Sequence, residues 1–201
     1  MMTKMNFHCR LVAVALMLSA FACGNSGRPA GADKQPSAST AERQETTQFH
    51  DPVPHQPTTA QPAQVIPEFT FYILRSGIRF TKQDLPKNGN KAFILFDPTC
   101  GHCQHEAHDI GKHYGELKDV NIYFVSMNDP GLMSTFLETW AKPLVDKPNV
   151  EMLYDRNADF INRFHIPSQY PATYVYGPDG RLKTSWNGER PARAVIDALK
   201  N

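Results

Sequence analysis

Residues 93–109 read FILFDPTCGHCQHEAHD, and the reading of this stretch governs that of the whole chain. An apolar run, Lys91 to Phe96, has strand length and no polar alternation, as expected of a strand buried on both faces. Asp97-Pro98-Thr99 breaks it, and from Cys100 the apolar residues recur at helical spacing. Cys103, Ala107, Ile110, Tyr114 and Leu117 fall on one face of a helix running to about Leu117, while Gln104, His105, His108, Asp109 and Lys112 fall opposite. Two cysteines separated by two residues therefore sit where a buried strand turns into a helix. Such a pair can be a disulfide switch, half of a metal site, or an accident of composition.

The destination of the chain narrows these options. Lys4 and Arg10 precede an apolar core from Leu11 to Phe21, too short for a spanning helix, which needs roughly 20 apolar residues. Ala20-Phe21-Ala22 supplies small residues at the positions a signal peptidase reads, so residues 1–22 are expected to be a signal peptide. The segment SAFAC ending at Cys23 resembles a bacterial lipobox, which implies lipidation of Cys23; the alternative is a plain secreted or periplasmic protein. Cys9 leaves with the signal and Cys23 is acylated, so Cys100 and Cys103 remain the only thiols of the mature chain. A structural zinc site usually wants four ligands, and a small disulfide framework wants two to four bridges. The redox reading gains by elimination.

Residues 23–64 are rich in Pro, Ser, Thr, Ala and Gln, lack an apolar period, and are expected to form a disordered tether spanning roughly 35–40 Å. Residues 65–201 have the size of one domain and carry sixteen Lys and Arg against sixteen Asp and Glu. That balance offers no basic stripe for nucleic acid. EFTFYIL and IRF, around Ser76-Gly77, predict a leading hairpin. VNIYFVS and VEMLYD read as further strands, and GLMSTFLETWAKPL as a helix ended by Pro143. Ala158–Phe164 reads as a short helix. ATYVYGPDGRLKTSW reads as two strands joined at Pro178-Asp179-Gly180, and Arg190–Lys200 as a closing helix begun by Pro191. Strands alternating with helices, then a hairpin and a last helix, argue for an α/β fold in which helices flank a central sheet.

Chemistry follows from this placement. A helix N-terminus exposes unpaired N–H groups and a partial positive charge, which stabilise a thiolate at Cys100. Cys103, one turn further in, is shielded, so Cys100 is expected to attack and Cys103 to resolve the mixed disulfide. His102, as imidazolium, would favour the Cys100 thiolate. Glu106 lies at the edge of the apolar face, three residues beyond Cys103. There a partly desolvated carboxylate has a raised pKa suited to passing a proton to and from the resolving thiol. His105 and His108 belong to the solvated face.

On these residues the chain resembles thioredoxin-fold proteins. FILFDPTCGHCQHE is similar to their active-site segment, and IPSQYPATYVYGPDGRL to their cis-proline loop and terminal hairpin. The leading hairpin, a helical insertion before the third main strand, and Glu three residues after the second cysteine resemble the extracytoplasmic, membrane-anchored TlpA/ResA-like thiol–disulfide oxidoreductases. The resemblance covers about Pro67 to Asn201. It implies a mixed sheet, a cis Pro171 against Cys100, and a Tyr170 backbone offered to an extended substrate peptide. It implies no cofactor beyond a redox-active Cys100–Cys103 disulfide and no metal. The implied partners are exported proteins bearing thiols or disulfides and a membrane thiol protein that donates electrons. Thr99 stands where tryptophan is frequent, and Gly101-His102 matches protein disulfide isomerase where thioredoxin has Gly-Pro. The potentials of such proteins run from about −270 to −120 mV, so the fold does not fix the direction of electron flow; the resemblance to the TlpA/ResA group implies reduction first and isomerisation second. The competing reading is a metal-binding module or copper chaperone using Cys100, Cys103 and nearby histidines, with His165 as the distant ligand. A thiol peroxidase is disfavoured because the Pro-x-x-x-Thr-x-x-Cys arrangement is absent.

Overall fold

The computed structural model describes residues 61–201. The expected signal peptide, Cys23 and residues 23–60 of the expected tether lie outside the described residues. In chain order the elements are strand β1 (Thr70–Ile73), β2 (Arg79–Thr81), β3 (Lys91–Leu95), helix α1 (Gly101–Lys112), β4 (Asn121–Ser126), α2 (Pro130–Thr139), β5 (Val150–Tyr154), β6 (Ala172–Tyr176), β7 (Leu182–Asn187) and α3 (Ala192–Lys200). They build one seven-stranded sheet in the order β2-β1-β5-β4-β3-β6-β7. Strands β3, β4 and β5 run parallel, and the other pairings are antiparallel. This is the expected α/β architecture, with the leading hairpin added to the edge of β5 and the α2 insertion between β4 and β5.

Strand β3 shows why the sheet has two covered faces. All five of its residues are buried, and successive side chains point to opposite sides. Ala92, Ile94 and then Phe96 join a core with Cys103, Ala107, Ile110, Ile196 and Leu199. Phe93 and Leu95 join a second core with Phe69, Phe71, Phe160, Phe164, Tyr174 and Tyr176. The second core is largely aromatic, with the Phe160 and Phe164 rings stacked at 4.6 Å. Even Lys91 is 3 % exposed; its ammonium donates to the Pro178 carbonyl at 3.1 Å.

Helix α1 packs through its buried residues Cys103, Glu106, Ala107, Ile110 and Gly111. A full burial of a residue such as Ile110 contributes about 1.5–3 kcal/mol. Gly111 lets the insertion approach closely, since a Cβ there would stand 3.3 Å from Pro143.

Local differences from the sequence reading have identifiable causes. The α1 helix stops at Lys112, and Tyr114–Glu116 forms a separate 3₁₀ turn. The 158–164 segment is a π turn, Phe160–Phe164, in which the His165 N–H reaches the Phe160 carbonyl. Ala158, at φ +57, prevents an α start there, and the Asp155 carboxylate accepts from the Asp159 and Phe160 N–H groups instead. Helix α3 begins at Ala192, two residues after the expected Arg190, with Pro191 as its N-cap. Backbone pairing reaches upstream of residue 65, because the Ala63 N–H donates to the Phe164 carbonyl and the Leu182 N–H to that of Gln64.

Candidate functional site

The turn between β3 and α1 is shaped by its own polar groups. One Asp97 oxygen accepts from both the N–H and the hydroxyl of Thr99, at 2.7 Å each. The Cys100 N–H donates to the Asp97 carbonyl at 3.1 Å, and the Gln104 amide reaches back to the Pro98 carbonyl at 3.1 Å. Cys100 is thereby placed as the N-cap of α1, with extended backbone, and its carbonyl accepts the first helical hydrogen bond from Gln104. Both cysteines are free thiols, with Cys100 half-buried and Cys103 buried. Desolvation pushes the Cys103 thiol far up, and the neighbouring Cys100 and Glu106 add to the effect. A thiol so placed cannot attack until a base takes its proton.

Glu106 is the candidate base. The sequence pattern puts it at the margin of the apolar face; in the fold it is covered, with 3 % exposure. One carboxylate oxygen accepts from the Thr173 hydroxyl at 3.0 Å. The other has no partner among the described residues. Burial outweighs the hydrogen bond and raises the pKa to about 7, where a carboxyl can both accept and return a proton near neutrality.

The loop before β6 closes the other side. The Tyr170–Pro171 peptide bond is cis, and the Pro171 carbonyl accepts from the Gly188 N–H at 2.8 Å. Neither the N–H nor the C=O of Tyr170 has a hydrogen-bond partner among the described residues. Burial, with the negative charge of Asp97 second, pushes the Tyr170 phenol up. Cys100 opens into a cleft of about 550 Å³ bordered by Asp97, Thr99, His102, Gln169, Tyr170 and Glu189. Gly188, at φ +78, brings the β7–α3 loop against this wall, since a Cβ there would meet the Gln169 side chain at 2.7 Å.

The structure gathers Cys100, His102 and Tyr170 around one opening, while Cys103, Glu106 and Pro171 are buried. His102 is exposed and engages the Glu189 carboxylate through Nδ1; the other Glu189 oxygen lies 3.4 Å from His105 Nδ1. His108 stays on the solvated face beside Asp109. His165 is not brought to the cysteines. It is buried, with Nδ1 2.7 Å from the Tyr174 hydroxyl, and Tyr174 belongs to the aromatic core on the opposite face of the sheet. Among the described residues, no three His, Cys, Asp or Glu side chains are arranged to hold a metal ion. Sequence reasoning missed Glu189 and the pairing of Thr173 with Glu106. The Asn187-Gly188 pair is a turn signal that could have marked a loop there, but nothing in the local pattern aims that loop at α1.

A seven-stranded mixed sheet with two cysteines at a strand–helix junction and a cis-proline before β6 is a thioredoxin-like fold of the thiol–disulfide oxidoreductase type. The model of the AhpC/TSA family matches residues 62–185, and the chain belongs to that family. Solved structures share the fold. A secreted Mycobacterium tuberculosis disulfide oxidoreductase homologous to E. coli DsbE is 22% identical, covering 65% of this chain and 96% of its own, with a TM-score of 0.54. The thio-disulfide isomerase of Thermus thermophilus is 20% identical over 69% of this chain and 94% of its own, at 0.52. The exposed lipoprotein thioredoxin of Streptococcus pneumoniae is 16% identical over 67% of this chain and 98% of its own, at 0.52. Comparison with curated protein sequences yields no match.

The Glu106 environment has a consequence for stability. A carboxyl whose pKa rises from 4.5 to about 7 on folding costs nothing while protonated and costs progressively more as pH climbs between those values. The full cost, roughly 3 kcal/mol, is reached above pH 7. Glu106→Gln removes it, so urea unfolding of the reduced proteins is expected to show the variant gaining on the wild type from pH 4.5 to pH 8. A difference that stays constant over this range would contradict a buried, titrating Glu106.

Proposed function

We propose that this chain is an extracytoplasmic thiol–disulfide oxidoreductase that reduces, and secondarily isomerises, disulfides of exported proteins. The observation that carries this reading is the pairing of an accessible Cys100 with a buried Cys103 over a buried, unpaired Glu106 oxygen. In the proposed cycle the Cys100 thiolate attacks one sulfur of a substrate disulfide. A mixed disulfide forms and the first substrate thiol leaves. Glu106 takes the Cys103 proton, the Cys103 thiolate attacks the Cys100 sulfur, and the second substrate thiol departs. Two electrons have passed to the substrate, and the enzyme holds a Cys100–Cys103 disulfide. A membrane thiol protein then returns the dithiol. Tyr170 would pair its free backbone groups with an extended substrate chain against Pro171.

The proposed location rests on the N-terminal sequence. Residues 1–22 act as a signal peptide, Cys23 carries the lipid, and the following tether lets the domain reach substrates on the periplasmic side of a membrane. Among the described residues no helix is long and apolar enough to cross a membrane.

Two experiments test these assignments. Cys103→Ser leaves Cys100 able to attack but unable to resolve, so mixed disulfides with exported proteins accumulate on non-reducing gels. Cys100→Ser traps far fewer, and equal trapping by the two variants would overturn the division of roles. For the anchor, Cys23→Ser is expected to move the protein from the membrane pellet to the soluble fraction; retention in the pellet would mean that another element holds it.

A further inference from the structure

The chemistry of the cleft says more about the substrate than the dithiol does. Resting on the exchange reading above, we propose that the site selects polypeptides carrying lysine or arginine beside the reactive cystine. Two carboxylates, Asp97 and Glu189, border the opening over Cys100, and among the described residues no lysine or arginine does. They come from separate loops, one preceding α1 and one following β7, and both are held in place. Asp97 is fixed through one oxygen by Thr99, and no described residue donates to its other oxygen. Glu189 is held between His102 and His105. The nearest cation in sequence, Arg190, has its guanidinium 4.8 Å over the Trp186 ring and does not border the cleft. The remaining wall is formed by Thr99, His102, Gln169, Gly188 and the half-buried Tyr170.

A substrate strand paired with the free Tyr170 backbone would run along the 169–171 loop. Its residues on either side of the reactive cysteine would then lie in this acidic opening. A cation there gains from both carboxylates, whereas an acidic residue is repelled. The exchange itself strengthens the preference. Attack moves the thiolate charge from Cys100 to the departing substrate sulfur, and a substrate lysine or arginine beside that sulfur makes it a better leaving group. Selection therefore acts on encounter and on the chemical step alike.

The test uses three cystine peptides that differ only in the residues flanking the cysteine, which are lysine, serine or glutamate. The pre-reduced, full domain-bearing protein is mixed with each, and the initial rate of peptide thiol release is measured. At low salt the lysine peptide is expected to react about tenfold faster than the glutamate peptide, with serine between. The ratio should contract severalfold at about 0.5 M salt, where screening is strong, and likewise in the Asp97→Asn/Glu189→Gln double variant. Turnover of all three peptides at equal rates, or faster reaction of the glutamate peptide, overturns the charge preference and leaves the exchange reading standing. A wild-type ratio retained in the double variant overturns its assignment to these two carboxylates. Turnover of none of the peptides removes the exchange reading, and this inference with it.

Discussion

Helix α1 has to lie on the sheet with Cys103, Glu106, Ala107 and Ile110 inward, while its first residue starts at the point where β3 leaves the sheet. Everything at the site depends on that seating. It leaves Cys100 at the rim and sinks the next cysteine by one turn, so two chemically identical thiols acquire different access to solvent. The same seating carries Glu106 below the surface, where among the described residues only the Thr173 hydroxyl hydrogen-bonds to its carboxylate. A buried carboxyl with one oxygen unpaired among the described residues is tolerated because the apolar contacts of Ala107 and Ile110 on the same helix hold it down. The unfavourable group and the favourable packing thus belong to one helix face, and neither can be altered without the other responding.

The functional groups come from three connections at one end of this rigid sheet: the β3–α1 turn, the cis-proline loop before β6, and the β7–α3 loop. Loops displayed by a fixed scaffold are where binding and chemistry concentrate. Two short contacts lock them together. The Gly188 N–H holds the Pro171 carbonyl, and Glu189 reaches the histidines of α1. The cleft is therefore a junction between segments about 90 residues apart in sequence, built by strand order rather than by local pattern. Solved structures sharing the fold at 16–22% identity show that the strand and helix pattern carries this architecture with little conservation of individual side chains.

The same distinction explains what could be read in advance. The continuous apolar run of β3, the CxxC that follows it and the helical spacing of Ala107 and Ile110 are local signals, and the central strand, the α1 face and the position of both cysteines followed from them. The hairpins were legible through Ser76-Gly77 and Pro178-Asp179-Gly180. Tertiary contacts decided the rest. Glu106 sits at the margin of a helical wheel, and only the arrival of β6 with Thr173 buries it. Glu189 looks like an exposed residue after a strand until the loop folds back onto α1. The π turn at Phe160–Phe164 is set by the left-handed Ala158 and the Asp155 carboxylate, where a period-3.6 reading takes the segment for an ordinary helix. His165, read as a distant ligand candidate, falls on the far side of the sheet because β6 sends Tyr174 and Thr173 to opposite faces.

The central claim is that one fold makes the two thiols unequal, with Cys100 open to a reactant and Cys103 closed to it. Pulse alkylation of the native, fully reduced protein, followed by mass spectrometry of the peptide carrying each cysteine, measures this directly. The account predicts that Cys100 is modified within the pulse while Cys103 stays unmodified until the protein is unfolded in denaturant. Modification of both cysteines at the same rate in the native protein would contradict it.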